Sequence, residues 1–222
     1  MNLPATLFPN DWLWLFNLLF AGFLWQAVRS AAWRVLLQNP AMTNALVALM
    51  LGAFVLWQFN AGIRPGINFH ILGATLFVLM FGWQIAIFVL TLVMAASLFR
   101  SGTHWVAFGI NGLAMLIVPA MFSEWLLRFS QQHLPKNLFL YVLWNGYLCG
   151  ALSIVLNVAT TSLLLLLLTP YTWSAVKYHY LTPAPIIMLT EAVMTGMLIT
   201  AFTVFQPAAV KNFSETDYLD GK

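Results

Sequence analysis

The stretch PGINFHILGATLFVLMFGWQIAIFVLTLVMAASLF, residues 65–99, decides how this chain is to be read. It joins a Pro-Gly turn to one histidine, His70, and then runs to Phe99 without a charge. His70 stands between Asn68 and Gly73, where backbone can come close and a ring nitrogen can face a cavity. From Asn68 to Phe99 are 32 residues, which as one helix would measure about 48 Å. The hydrocarbon core of a bilayer is only about 30 Å thick. Either one helix tilts strongly, or Gly82-Trp83 divides the stretch into two short helices.

The rest of the chain sets the solvent. Of 222 residues, 62% are hydrophobic and only 7% charged, against roughly 25% charged in a soluble domain. Mean hydropathy is +0.86. Polar groups are too few to cover a sphere in water, so the fold class is an all-α integral membrane protein. The net charge of +3 comes from lysines and arginines spread singly, with no basic run, which excludes a nucleic-acid partner. Cys149 is the only cysteine, so no internal disulfide and no thiolate cluster can form, and it reads as a small buried hydrophobe. No P-loop, H-E-x-x-H or G-x-S-x-G occurs, and no nucleophile–base pair is visible, so an enzyme is not expected.

Charge chooses between the two readings of residues 68–99. With a break at Gly82 the chain has about seven transmembrane helices. Arg29, Arg34, Arg128, Lys136, Lys211 and Lys222 then share one side, against Arg64, Arg100 and Lys177 on the other. Without the break the positives divide almost evenly. Only the seven-helix arrangement follows the positive-inside rule. It implies an outer N-terminus and a cytoplasmic C-terminus.

In chain order, the opening residues MNLPATLFPNDW lack a basic n-region, so the first apolar segment is expected to be retained. Helices are expected over 12–28, with Asp11 as N-cap, and over 41–59, 68–81, 83–99, 105–127, 138–168 and 185–205. The turn Asn60 to Gly66 and an aromatic-rich outer loop, Tyr171 to Thr182, connect them. Gly146 and Gly150 form a GxxxG pair, with Ser153 one turn on, suited to close approach of a neighbouring helix. Residues 1–210 read as a single transmembrane domain, and 211–222 as a polar cytoplasmic tail.

A few polar residues stand out against this background. Glu191 lies within the last helix, where a carboxylate costs roughly 2.5–3.5 kcal/mol. It reads either as a cation-pathway group or as an acid bonded to a neighbouring helix. Glu124 and Arg128 form an i,i+4 pair. Asn111, Asn145 and Asn157 suit interhelical hydrogen bonds. His70, His104 and His179 fall near the outer end, where imidazoles could form an entry site for a transition metal or stand as interfacial residues with wet tips.

Asn68-Phe69-His70-Ile71-Leu72-Gly73-Ala74 followed by Phe81-Gly82-Trp83, then Gly109-Ile110-Asn111-Gly112-Leu113-Ala114-Met115, then Glu191-Ala192-Val193-Met194-Thr195-Gly196, resemble in order and spacing three blocks of a known family. This is the permease subunit of cobalt and nickel energy-coupling-factor transporters, the CbiM/NikM type. The resemblance covers roughly Pro65 to Pro207. It implies an energy-coupling-factor substrate-binding bundle in a bacterial inner membrane. It also implies a transmembrane coupling protein and cytoplasmic ATPases as partners, and a transition-metal ion as substrate, with no permanently bound cofactor. Family members bind the metal through the N-terminal amine, a histidine at position two and the helix-opening histidine, here His70. His104 and His179 are further metal candidates; Asn68, Asn111 and Glu191 are the polar residues of the substrate path. Position two departs from the pattern, being Asn2, and Gly82 is followed directly by Trp83 without the family's proline. Two alternatives keep the same fold: a non-transport assembly or sensor subunit, and a permease for an organic substrate.

Overall fold

The computed structural model describes residues 3–59, 61–64, 67–101, 105–214 and 218. Among them the chain is a helical bundle: α1 (Asn10–Ser30), α2 (Trp33–Gln38), α3 (Pro40–Gln58), α4 (Ala74–Phe81) and α5 (Trp83–Ser101). These are followed by α6 (Trp105–His133), α7 (Leu138–Leu168) and α8 (Ala184–Phe205). One departure from pure helix is a short antiparallel pair, Ala61–Arg64 with Ile67–Phe69, in register Ala61 to Phe69 and Gly62 to Asn68. Among the described residues five helical runs are long and apolar enough to cross a membrane: 10–30, 40–58, 105–133, 138–168 and 173–205. Helix α5 is a shorter apolar sixth.

The stretch from 67 to 99 does break at Gly82. That residue has φ +86°, a left-handed conformation that glycine adopts without strain, and it separates α4 from α5. The seventh passage differs from the expected helix over 68–81, because α4 begins only at Ala74 and spans eight residues. The passage is part extended strand and part half-helix. Non-helical backbone at membrane depth is tolerated where protein surrounds it. All eight residues of α4 are buried, which makes this short helix the centre of the bundle.

Tertiary contacts sort the ends of the passages. Asn39 Nδ2 donates to the Ala208 carbonyl at 2.8 Å, and Lys211 N–H to the Met80 carbonyl at 2.8 Å. Lys136 and Lys211 line one polar cavity. These residues mark one end of the bundle. At the other, Leu3 meets Asn111, Asn17 meets Val106, and Trp57 meets His70. Among the described residues the chain therefore makes seven passages between two ends, with Lys211 at the end opposite Leu3.

Local rules explain the helix boundaries. Pro40 opens α3 while Asn39 Oδ1 accepts the Met42 N–H at 3.2 Å. Asp11 is not the N-cap of α1; the helix starts one residue earlier, at Asn10, after Pro9, and Asp11 lies in its first turn, where a carboxylate favours the dipole. The expected outer loop after Tyr171 is largely helical over Trp173–Val176 and Lys177–Leu181. Within α6, a π-helical turn at Leu113–Ile117 precedes Pro119, whose missing N–H disturbs the regular ladder. Asn157 Nδ2 donates to the Ala114 carbonyl in that turn at 2.7 Å, an interhelical bond of the expected kind.

The GxxxG face of α7 packs on α8. A Cβ on Gly146 would lie 2.7 Å from Ile199 Cγ2, and one on Gly150 3.3 Å from the Ala192 Cα. Cys149 is buried and free. Arg128 Nε donates to Glu124 Oε1 at 2.8 Å, with Arg128 64% exposed. Arg128→Ala should change the melting midpoint hardly at all, since an exposed i,i+4 pair contributes about 0.3–0.5 kcal/mol. A thermal scan in detergent checks this.

Candidate functional site

Polar clamps and one histidine lie at the end of the bundle that holds Leu3. The first clamp is Asn111 on α6. Its Oδ1 accepts the Leu3 N–H at 2.7 Å, and its Nδ2 donates to the Leu3 carbonyl at 3.0 Å and to the Ala107 carbonyl at 2.9 Å. Leu3 is buried, and one side-chain amide satisfies both of its backbone groups.

Asn17 on α1 repeats the device. Its Nδ2 donates to the Val106 carbonyl at 2.8 Å and its Oδ1 accepts the Gly109 N–H at 2.7 Å. The helices touch closely here because Gly109 has no side chain: a Cβ would lie 2.4 Å from the Asn17 Cα.

The second clamp is Glu191 on α8. It is fully buried, and its two oxygens accept the Leu72 and Gly73 N–H groups at 2.8 Å each. Gly73 has φ +72° and immediately precedes α4, so its N–H belongs to a helix start that has no intrahelical partner. A carboxylate in this place satisfies orphan donors and complements the helix dipole. The close approach of α7 and α8 at Gly150 abuts the Glu191 carbonyl, which fixes the depth at which the carboxylate is delivered.

His70, two residues before the Leu72 amide that Glu191 accepts, is 5% exposed. Its ring lies 4.7 Å from the Trp57 ring, and its Nδ1 lies 3.2 Å from the Ile71 carbonyl. With Nδ1–H donated to that carbonyl, Nε2 carries the lone pair that a metal takes. His70 does not stand on the helix it was expected to open; residues 70–73 are irregular, and Gly73, left-handed at φ +72°, sets the start of α4 at Ala74.

The other candidates fall as follows. Asn68 pairs by its backbone with Gly62. His179 is half-buried in the π-helical turn before α8. His104 lies outside the described residues. Among the described residues no three His, Cys, Asp or Glu side chains come together as a metal cage.

Three supporting residues escape sequence reasoning. Nothing in the sequence pairs Trp57 with His70. Asn17 carried a signal, a polar residue inside an apolar helix. Asn212, whose Nδ2 lies 3.1 Å from the Val78 carbonyl at the far end of α4, carried none.

The fold is shared with known transporters. One crystal structure, described as a transition metal transporter, matches with a TM-score of 0.75 at 21% identity, covering 92% of this chain and 93% of its own. Another, described as a truncated transition metal transporter, matches with a TM-score of 0.72 at 19% identity, covering 92% and 99%. No curated protein matches the chain in sequence. The family model described as the cobalt uptake substrate-specific transmembrane region matches residues 2–209, nearly the whole chain. The chain therefore belongs to the CbiM family of cobalt-uptake substrate-specific transmembrane proteins, a family of transport proteins and not of enzymes.

Proposed function

We propose that this protein is the substrate-binding permease of an energy-coupling-factor uptake system for a transition-metal ion of the cobalt or nickel type. It would capture the ion with His70 at the outer end of the bundle. The observation that carries this reading is the posture of His70: a buried imidazole, its Nδ1 directed to a backbone carbonyl and its ring held by Trp57, with the following backbone pinned by Glu191. Such an outer-shell hydrogen bond is how metal-binding histidines are oriented. The Asn111 clamp that holds Leu3 lies at the same end of the bundle, which supports a site there.

The lysine and arginine bias supports an orientation with this end outside and the carboxyl end in the cytoplasm, and the family resemblance supports a bacterial inner membrane. With no nucleotide-binding motif in the chain, energy would come from cytoplasmic ATPases acting through a transmembrane coupling protein. Asn2 favours a second reading, an organic substrate or an assembly role, because the imidazole expected beside the amine is absent.

Metal content of the purified protein after loading with cobalt, nickel or zinc tests the proposal. Wild type should hold stoichiometric metal by elemental mass spectrometry. His70→Ala should weaken binding by more than the roughly 10–100-fold that loss of a supporting residue causes. A wild type that takes up none of the three metals would sink the metal reading and leave the second.

A further inference from the structure

Both ends of α4 are tied to one other segment of the chain. At its start, Glu191 accepts the Leu72 and Gly73 N–H groups. At its finish, Asn212 Nδ2 lies 3.1 Å from the Val78 carbonyl and 3.3 Å from that of Leu79, and the Lys211 N–H donates to the Met80 carbonyl at 2.8 Å. Glu191 and Asn212 belong to the same run, α8 and the turn that follows it at Pro207–Ala209. The pieces close a ring: Glu191, α8, the return turn, Asn212, α4, and back to Leu72 and Gly73. Eight helical residues measure about 12 Å. So short and wholly buried a helix moves as one body, and its lengthwise position is set by what holds its terminal carbonyls and amides.

We propose that Asn212 is a positioning residue for the His70 loop, acting through α4 from the opposite end of the bundle. Asn212 and the neighbouring Lys211 N–H hold the last carbonyls of α4, and α4 presents the Leu72 and Gly73 amides to Glu191 in register. Without the two Asn212 donors the Val78 and Leu79 carbonyls lose their bonds to the tail, α4 is released lengthwise, and the Glu191 clamp loosens. The consequence for metal affinity rests on the metal-binding reading above. It gives the end of the bundle that carries residues 211–214 control over a site at the other end, so whatever lifts that segment weakens the hold on the ion.

Amide-resolved hydrogen exchange on the full chain in detergent tests this, with cobalt affinity measured beside it. The variants are Asn212→Ala and Asn212→Asp, which keeps the shape but has no donor. In a third, Lys211→Pro, the backbone donor is removed next to Val210, which at φ −104° and ψ 103° is already extended and outside the helical region that a following proline disfavours. Exchange at Leu72 and Gly73 should quicken by about 5-fold or more, residues 108–112 should keep their protection, and cobalt binding should weaken by a similar factor. Unchanged exchange at Leu72 and Gly73 overturns the proposal, whatever happens at 78–82. A uniform rise across the bundle, the mark of general destabilisation, overturns it too. A wild type that binds no cobalt counts against the metal reading alone, because the exchange pattern still decides the role of Asn212. If one variant fails to fold, the other two carry the same readout.

Discussion

Replacing Glu191 by alanine should be among the most damaging single changes in this protein. Its two oxygens are the acceptors for the Leu72 and Gly73 N–H groups, both at 2.8 Å inside the bundle. Deleting the carboxylate leaves two buried donors unsatisfied, each at about 1–3 kcal/mol, roughly 2–6 kcal/mol together. Water cannot replace the acceptors without filling a cavity at membrane depth. The expected result is a melting midpoint lower by at least about 5 °C and loss of metal binding, read by a thermal scan and by elemental analysis of the purified variant. Glu191→Gln should fall between alanine and wild type: its carbonyl oxygen still accepts one N–H, but its NH₂ group then faces the other. This ordering separates a clamp from an ion-path acid. An acid that only conducted the ion would leave the midpoint of both variants at the wild-type value and abolish uptake alone.

Gly109→Ala should be nearly as harmful, for a steric reason. The new Cβ would lie 2.4 Å from the Asn17 Cα and N and 2.5 Å from the Phe16 carbonyl carbon, all backbone atoms of α1. Backbone cannot swing aside as a side-chain tip can, so α1 and α6 must separate. Separation also breaks both Asn17 bonds, to the Val106 carbonyl and the Gly109 N–H. Overpacking costs about 1–3 kcal/mol and interhelical hydrogen bonds in membranes contribute about 0.6 kcal/mol each, up to roughly 1.7. A loss of about 2–5 kcal/mol is expected. Because α6 also carries Asn111, the clamp on Leu3 should loosen with it, and proteolysis near the amino terminus should speed up. The control is Gly22→Ala, where a Cβ meets nothing within 4 Å; its midpoint should stay level or rise slightly, since alanine is the better helix former by up to about 1 kcal/mol. Equal midpoints for Gly109→Ala and Gly22→Ala would show that α1 and α6 do not depend on this contact.

The two changes act on different parts of one construction. Glu191 fixes the backbone that follows His70, whereas Gly109 and Asn17 let α1 approach the helix whose Asn111 holds Leu3. The irregular backbone at 70–73 and the segment around Leu3 have little rigidity of their own. The bundle supplies it through side-chain amides and a carboxylate that take the place of missing backbone partners.

What the amino-acid order determined by itself was whatever depends on length and solvent. The apolar runs are long enough to span lipid, and a 32-residue run too long for one passage had to tilt or break, with charge favouring a break at Gly82. The GxxxG pair on α7 marked a face for close packing, and that face meets α8. These features are local or periodic, so a one-dimensional reading holds them. The partners of backbone groups belong to the tertiary structure alone. The Leu72 and Gly73 amides bear no side-chain signature, so nothing in the stretch around His70 announces that Glu191, more than a hundred residues later, accepts from both. The same holds for the α4 carbonyls met by Asn212 and for the Trp57 ring beside His70. Helix α4 starts four residues after His70, not at it, with Gly73 left-handed before it, and only folding brings the Glu191 carboxylate within 2.8 Å of the Leu72 and Gly73 amides.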